Sequence, residues 1–304
     1  MGNDEAKKEK TEKKVKTWSK NDKIFLGILI PVLILFFCLN TLPLIKGFYY
    51  GLTNFRGYGN YDFVGLRNFK DLFSDARVGK SYLFTFKYAL IMTFLVNFLS
   101  LVLAMGLNRE IKGKNALRGI YFVPNILGGL VVGYIFSFIF TYILPAVGEA
   151  IGIGFLQNSF LASTKTAWIA IVIVGAWQGI AMNTIIYISG LQTVPEEVYE
   201  ACMLDGASGW KKFSKITLPL IMPFVTINLV LCMKNALMVF DQIMSLTKGG
   251  PSQSTESISY LIYNNGMSGG QFGFQSANAF VFFVVIVVIS FLQMKFLGGK
   301  EEQL

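Results

Sequence analysis

Long uninterrupted apolar runs are the feature that most limits how this chain can fold. Six of them reach or exceed the length of about 20 residues that a helix needs to cross a bilayer. A buried helix of a soluble core explains any single run, but no soluble core uses six full-length apolar helices in succession. The sequence therefore predicts an all-α integral membrane protein with six transmembrane helices. The runs cover residues 24–48, 83–107, 119–147, 167–191, 216–244 and 277–297.

The polar segments between these runs predict the orientation of the chain. The N-terminal tail, residues 1–23, is rich in lysine, and basic residues gather on the cytoplasmic side of membrane proteins. We therefore expect a multi-pass protein of the cell (plasma) membrane with both termini cytoplasmic, including the C-terminal segment 298–304. The net charge of +9 lies largely in such segments and indicates neither an acidic partner nor nucleic acid. The other basic residues on this predicted side are Arg109, Lys112, Lys114, Arg118, Lys211, Lys212, Lys215 and Lys300.

The chain contains no histidine. This absence excludes histidine-based acid–base catalysis, histidine-activated nucleophiles and histidine-ligated metals. We predict no catalytic residue, no metal site and no cofactor held by this chain, which is therefore not expected to be an enzyme.

The stretch after the fourth run, residues 193–219, mixes acids, lysines, glycines and prolines. Thr193 and Glu196 have the spacing of a capping box at the start of a short helix, and Gly206 suits the left-handed conformation that ends one. Ser208 can then cap a second short helix. The pattern predicts a rigid bracket on the membrane face. Two interpretations fit it equally well: a surface for another protein, or an amphipathic helix resting on lipid headgroups.

This stretch resembles the EAA loop of ABC-importer permeases, in which E-A-A is followed by glycine and then by I-x-L-P. Three further segments, residues 63–73, 117–125 and 246–255, resemble carbohydrate-importer permeases of the maltose type. The resemblance covers residues 24–297 and implies the type I ABC-importer permease (MetI-like) fold. Cys202 replaces the third alanine of the loop, and the matching residues are Glu200, Ala201, Gly206, Ile216, Leu218 and Pro219.

The resemblance also implies a function and a set of partners. Such a permease forms a translocation pathway with a second homologous permease chain, and two cytoplasmic ATP-binding cassette ATPase subunits drive transport. An extracytoplasmic sugar-binding protein delivers the sugar or oligosaccharide, while ATP and magnesium bind the partner ATPase. The EAA loop would be the coupling helix that docks on the ATPase. Its coupling residues would be Tyr199, Glu200, Ala201, Met203, Asp205, Gly206, Ala207 and Ser208.

Polar residues inside the apolar runs predict the substrate pathway, because such residues tend to face a bundle interior or a cavity. In the fifth run three amides recur every seven residues, as do one lysine and one aspartate, so a continuous helix would carry them as one stripe. Sugar contact and interhelical bonding are the two interpretations of these residues. The candidates are Asn228, Lys234, Asn235, Asp241 and Gln242 in the fifth run and Trp177, Gln178, Asn183 and Tyr187 in the fourth.

Two other patterns predict helix packing instead of a binding site. Gly175 and Gly179 form a G-x-x-x-G pair, and Thr93, Asn97 and Ser100 form a short polar stripe in the second run. Small residues allow helices to approach closely in lipid, and polar ones bond between helices.

A secondary transporter or channel for a small polar solute is the alternative function. Such proteins usually show internal repeats, broken helices or intramembrane acids. No convincing repeat is visible, and Asp241 is the one clear acid within a run. An intramembrane enzyme is disfavoured by the missing histidine.

Overall fold

The computed structural model describes residues 20–108, 113–204, 206–207 and 209–298. The predicted lysine-rich tail lies outside these residues up to position 19, as does the C-terminal segment from position 299. Two of the proposed coupling residues, Asp205 and Ser208, are also outside them.

Helices make up most of the described chain, which confirms the all-α prediction. Its only β pairing within the described residues is one antiparallel bridge between Thr53 and Phe63. The helices are α1 Lys20–Phe36, α2 Leu42–Gly51, α3 Arg67–Ser74, α4 Ala76–Leu107, α5 Lys114–Ile126, α6 Gly129–Phe138, α7 Leu144–Ala150, α8 Ala167–Gln192, α9 Glu196–Leu204, α10 Gly209–Lys212, α11 Leu218–Leu220, α12 Met222–Leu237, α13 Ile258–Tyr263 and α14 Phe272–Gly298.

Wider turns of π type join several of these helices and shift the faces that they present. They cover Phe37–Thr41, Ile139–Ile143, Phe213–Thr217, Ile243–Thr247 and Asn264–Ser268. The chain divides into two compact units, Met1–Lys46 and Gly47–Leu304. Every site discussed below lies in the second unit.

Five stretches of the described chain are long and apolar enough to cross a membrane. A sixth candidate is a bent pair, Gly209–Leu220 and Met222–Leu237, whose two halves turn by 74°. Counting that pair as one span gives the six predicted transmembrane segments. The five single stretches are Ile24–Gly51, Ala76–Leu107, Gly129–Ala150, Ala167–Gln192 and Phe272–Gly298.

The third predicted run is not one helix. Leu127 and Gly128 are extended, with ψ of 134° and 137°, and they separate α5 from α6. The span starts at Gly129 instead of residue 119. Because both sides of the break are apolar, hydropathy alone does not reveal it.

The fifth predicted run is broken twice. Its bend falls at Ile221, with φ −94° and ψ 9°, two residues before Pro223. Pro219 and Pro223 each occupy the first turn of a helix, where the missing N–H costs no bond. The helix α12 then ends at Leu237, so residues 238–244 do not continue it.

Helices α4, α8 and α12 form the core of the second unit. Gly175 of α8 lies against the Tyr88 hydroxyl and Met92 of α4, and Gly179 lies against Val96. A side chain at Gly175 would collide with Tyr88. Helices in lipid gain stability from such close packing. The packing role predicted for the glycine pair is confirmed.

The polar stripe of α4 bonds neighbouring helices. Asn97 Oδ1 accepts a hydrogen bond of 2.7 Å from the Tyr187 hydroxyl, and the Ser100 hydroxyl donates to the Ile180 carbonyl at 3.3 Å. Thr93 Oγ1 lies 3.7 Å from the Met233 sulfur. The predicted packing role of this stripe is also confirmed.

The first turn of α14 is fastened to the segment after α2. Gly273 N–H donates to the Phe55 carbonyl at 2.7 Å. A Cβ at Gly273 would lie 3.1 Å from the Phe55 nitrogen and the Tyr50 carbonyl oxygen, and closer still to the Thr53 carbonyl oxygen. Backbone atoms cannot move aside as a flexible side chain can, so this position requires glycine.

We expect Gly273→Ala to destabilise the protein by about 1–3 kcal/mol, the usual cost of overpacking. Thermal unfolding of the purified protein in detergent measures the effect. Gly79→Ala is the matched control, because Gly79 lies in the first turn of α4 with nothing within 4 Å of an added Cβ. Alanine there should be neutral or stabilising by up to about 1 kcal/mol. Equal unfolding temperatures for the two variants would contradict the close contact.

Candidate functional site

A cavity of about 370 Å³ lies between α4, α8 and α12. The break between α5 and α6 and the turn after α12 complete its wall. Four of the predicted pathway residues line it, one pair from α8 and one residue on each side of the break after α12. They are Gln178, Asn183, Asn235 and Gln242.

The two glutamines of the cavity form a bonded pair. Gln242 Nε2 donates to Gln178 Oε1 at 3.0 Å. Gln178 Nε2 lies 3.5 Å from the carbonyl oxygens of Pro124 and Leu127. Those carbonyls belong to the end of α5 and the break after it, where no further helical turn supplies N–H partners. Gln178 therefore links the irregular backbone at one wall to Gln242 at another.

The two buried asparagines each have an unpaired acceptor. Asn183 Nδ2 donates to the Gly179 carbonyl at 2.8 Å, and Asn228 Nδ2 donates to the Asn183 carbonyl at 3.1 Å. Both Oδ1 atoms are buried without a hydrogen-bond partner. Buried acceptors are normally paired, so each favours a donor from water or a ligand. Of these two asparagines, Asn183 lines the cavity and Asn228 does not.

The remaining predicted pathway residues lie away from the cavity wall. Tyr187 is 1% exposed and bonds Asn97, while Asn228 is fully buried between helices. Trp177 is exposed on α8 and packs against Phe136, with ring centroids 5.3 Å apart. Lys234 is exposed on α12, and the Asp241 side chain lies against Gly129.

The expected single stripe on the fifth run was wrong. Because α12 ends at Leu237, the seven-residue spacing does not place Asn235 and Gln242, or Lys234 and Asp241, two turns apart on one helix. Gln242 reaches the cavity because the chain leaves the helix at Met238 and enters a new turn. Asp241 instead packs against α6.

Among the wall residues that sequence reasoning missed are Tyr88, Met92 and Asn125. Tyr88 and Met92 sit in an apolar run and carry no pattern that separates cavity from core. Asn125 follows Pro124, and Gly128 and Gly129 stand three and four residues later, a combination that signals the end of a helix. That signal would have placed Asn125 beside a break.

The predicted bracket consists of α9 and α10. Gly206 has φ 71°, and the Ala207 N–H donates to the Cys202 carbonyl at 2.9 Å, which closes the end of α9. The left-handed role predicted for Gly206 is confirmed. The predicted capping box was wrong, because the Thr193 hydroxyl donates to the Gly190 carbonyl at 2.7 Å and so belongs to the end of α8.

One face of the bracket packs inward. Val198 and Tyr199 pack against the core cluster at the end of α8. Lys212 Nζ lies 4.2 Å from the Tyr199 ring centroid, and the Thr217 hydroxyl donates to the Tyr199 oxygen at 3.4 Å. Tyr199, predicted as a partner contact, is thus half-buried and joins the two arms of the bracket.

The other face projects apolar side chains. Leu204 is 90% exposed, Trp210 is 77% exposed and Met203 is 60% exposed. Such a patch indicates contact with a protein or a lipid surface. Glu200 and Ala201 are exposed on α9, and Ala207 is half-buried. Leu204 was absent from the predicted coupling set, although its place beside Met203 at the end of a short helix was a usable signal.

Long apolar spans, a bent fifth span and a polar cavity between them define a membrane permease. Residues 96–298 match the family described as binding-protein-dependent transport system inner membrane component. The chain belongs to this family, which confirms the predicted ABC-importer permease.

Three relatives are transport permeases. The chain is 40% identical to the multiple sugar-binding transport system permease protein MsmF of Streptococcus mutans, over 86% of this chain and 90% of that protein. It is 34% identical to the probable starch degradation products transport system permease protein AmyD of Thermoanaerobacterium thermosulfurigenes, over 93% of this chain and 96% of that protein. It is 32% identical to the trehalose/maltose transport system permease protein MalF of Thermococcus litoralis, over 77% of this chain and 79% of that protein.

A solved structure supports the fold. A bacterial alginate ABC transporter in complex with its alginate pentasaccharide-bound periplasmic protein contains a chain that matches with a TM-score of 0.78 at 22% identity. The match covers 90% of this chain and 93% of that one. At this identity the likeness shows the type I importer permease fold.

We expect Tyr187→Phe to lower stability by about 0.6–1.7 kcal/mol, the range of interhelical polar bonds in lipid. The variant removes the donor to Asn97 and leaves a buried acceptor unpaired. Thermal unfolding in detergent measures the loss. Tyr142→Phe is the control, because the Tyr142 side chain is exposed. If Tyr187→Phe unfolded at the same temperature as the control, the hydrogen bond from Tyr187 to Asn97 would not contribute to stability.

Proposed function

We propose that this chain is a membrane-spanning permease subunit of an ATP-driven importer for an uncharged sugar or oligosaccharide. The observation that carries the proposal is the cavity between α4, α8 and α12. None of the described residues that line it is charged, and its polar groups are side-chain amides and one tyrosine. The names of the three relatives refer to multiple sugars, starch degradation products, and trehalose or maltose, which agree with this chemistry.

Amide groups suit sugar hydroxyls because each amide both donates and accepts hydrogen bonds. Asn183 Oδ1 is an acceptor already buried without a donor, so a sugar hydroxyl would satisfy it. Gln178 and Gln242 can exchange their mutual bond for bonds to the sugar. Tyr88, Met92 and Leu231 supply the apolar surface that the C–H faces of a sugar ring need.

An acidic sugar or a phosphorylated polyol would need a cation beside it. Lys234, the nearest lysine along α12, is exposed and does not line the cavity. Burying a carboxylate or phosphate among neutral amides would leave its charge unpaired, at a large cost. The cavity therefore favours neutral glycans over acidic ones.

The proposed partners follow from the family. They are a second homologous permease chain, two ATP-binding cassette ATPase subunits that bind ATP and magnesium, and an extracytoplasmic sugar-binding protein. With both termini cytoplasmic, the bracket lies on the cytoplasmic side. Its projecting Met203, Leu204 and Trp210 then form the apolar centre of the ATPase contact, with Glu200 and Ala201 beside them. Asp205 and Ser208 remain predicted residues of this contact surface.

The test of transport uses this chain assembled and purified with the proposed second permease, ATPase subunits and binding protein. We expect at least one of maltose, trehalose, maltotriose and raffinose to stimulate ATP hydrolysis and to be taken up into proteoliposomes. Glucuronic acid and sn-glycerol 3-phosphate should do neither. Uptake without ATP would instead indicate a secondary transporter or channel.

In the same assay, Asn235→Leu should weaken sugar stimulation about 5- to 150-fold. Leucine has similar bulk but leaves sugar groups without a partner, at about 1–3 kcal/mol. Assembly with the ATPase should stay intact, because Asn235 is exposed to the cavity instead of bonded between helices. Asn60→Leu, on the exposed loop before α3, is the control. Unchanged uptake with intact assembly would remove Asn235 from the pathway.

Gly206→Val should uncouple ATP hydrolysis from sugar uptake while the protein still reaches the membrane. A β-branched residue at φ 71° costs about 1–3 kcal/mol in strain and would tilt α10 relative to α9. Sugar-stimulated ATPase activity and pull-down of the ATPase subunits measure the coupling. Gly59→Val is the matched control, since Gly59 has φ 75° and open space around it on the opposite side. Equal loss in both variants would mean that strain alone, and not the bracket, is responsible.

A further inference from the structure

We propose that α4 carries a second sugar subsite, displaced toward its N-terminal end from the cavity described above, which holds one glycosyl unit before the sugar enters that cavity. This inference rests on the proposed function and on the proposed orientation, which places the N-terminal end of α4 on the outer side. We call the subsite the Trp168 groove. Its lining includes Phe84, Lys87, Tyr88, Thr164, Trp168 and Ser254.

The groove lies between two other cavities, because it shares lining residues with each of them. The groove has a volume of about 200 Å³ and shares Tyr88 with the larger cavity. A third cavity of about 300 Å³ shares Phe84, Lys87 and Ser254 with the groove and reaches Arg77. The three cavities thus follow α4 from Arg77 to Val96, which is about 28 Å of helix at 1.5 Å per residue. A row of this length nearly matches the hydrocarbon thickness of a bilayer, which a translocation pathway has to cross.

The side chains of the groove match the two surfaces of a sugar ring. Trp168 offers an aromatic face for the C–H side of the ring, and Tyr88 and Phe84 extend the apolar wall. Lys87 Nζ lies 5.0 Å from the Trp168 ring centroid. Because Lys87 is exposed and has a long side chain, its ammonium can move from the indole to a sugar hydroxyl and donate to it.

An unpaired hydroxyl is the observation that points to a ligand. Ser254 Oγ is buried and has no hydrogen-bond partner, although it lies where the groove meets the third cavity. Buried polar atoms without partners are rare and call for a specific reason. A sugar hydroxyl in the groove would supply the missing partner.

The segment around Ser254 holds this hydroxyl in place. Glu256 is 3% exposed, and its carboxylate accepts two bonds of 2.8 Å from the Arg77 guanidinium. The Thr255 hydroxyl donates to the Gly250 carbonyl at 2.6 Å, and the Ser257 hydroxyl donates to the Val239 carbonyl at 2.8 Å. Neighbouring side chains thus fix the backbone on one side of Ser254 and leave its own hydroxyl unused.

The residues before Ser254 are strained. Ser252 and Gln253 have φ of 51° and 61°, in the region that favours glycine, and both line the third cavity. Strain of this kind persists where the surrounding structure imposes it, and it clusters at binding sites. The loop therefore presents three polar residues in succession to the row of cavities.

Ser254→Ala separates a binding role from a structural one. Removing an unpaired buried hydroxyl relieves its desolvation cost, so a purely structural serine predicts unchanged or higher stability and unchanged transport. We expect the unfolding temperature to stay equal or rise while sugar uptake, at saturating binding protein, slows about three- to tenfold. Ser74→Ala is the control, because the exposed Ser74 hydroxyl donates to the Asp71 carbonyl and lies in none of the three cavities.

Direct occupancy is measured with Ser254→Cys in the assembled transporter. A methanethiosulfonate reagent should label this cysteine above the background of the unsubstituted chain, and maltose, trehalose, maltotriose or raffinose, whichever is transported, should slow the labelling. Adding Trp168→Leu should abolish this protection. Ser74→Cys should be labelled at a rate that no sugar changes.

The outcomes distinguish this inference from the proposed function. Suppose that the wild type takes up one of the sugars. Normal uptake by Ser254→Ala, or Ser254→Cys labelling that the transported sugar does not slow, would then overturn the proposed subsite and leave the importer function intact. Absence of Ser254→Cys labelling would show that the groove does not admit a solute to this position, which also overturns it. If the wild type transports none of the four sugars, the proposed function fails and the groove fails with it.

Discussion

The close approach of α4 and α8 is the contact on which the rest of the second unit depends. It is possible because Gly175 and Gly179 have no side chains, so Tyr88, Met92 and Val96 of α4 can pack directly onto the backbone of α8. The same three α4 side chains form one wall of the cavity. A larger residue at Gly175 would separate the helices and displace Gln178 and Asn183 from that wall. The helix packing and the cavity wall are therefore two consequences of one contact.

Breaks in the helices supply the polarity of the cavity. Backbone groups at membrane depth must be satisfied within the protein or must line a cavity. The chain leaves helical geometry at Leu127 and again at Met238, and Gln178 and Gln242 lie beside these two breaks. Their amides bond each other, and the Gln178 amide also approaches the carbonyls at the first break. Irregular backbone and neutral amides together make a surface suited to hydroxyl groups, and Asn183 leaves one acceptor on it unpaired.

The bracket connects to both helices that carry the cavity amides. The chain passes from the end of α8 into α9, and from α10 through the turn Phe213–Thr217 and the bend at Ile221 into α12. Tyr199, held by Lys212 and Thr217, ties the two arms together. Under the proposed function, a force on the projecting Leu204 and Trp210 would reach α8 and α12 at once. Two walls of the cavity would then move relative to the third, α4.

The sequence by itself determined the membrane class, the approximate spans, the glycine contact between α4 and α8, and the turn at Gly206. These features follow from local properties, namely run length, small-residue spacing and the conformational freedom of glycine. Only the tertiary structure decided which polar residues share a cavity. Asn235 and Gln242 meet there although the helix that was expected to align them ends at Leu237. Tyr187 and Asn228 instead bond other helices, and Tyr88 lines the cavity without any sequence signal. The physical reason is that apolar breaks do not change hydropathy, while the direction of each side chain depends on where its helix starts and stops and on which neighbour it meets.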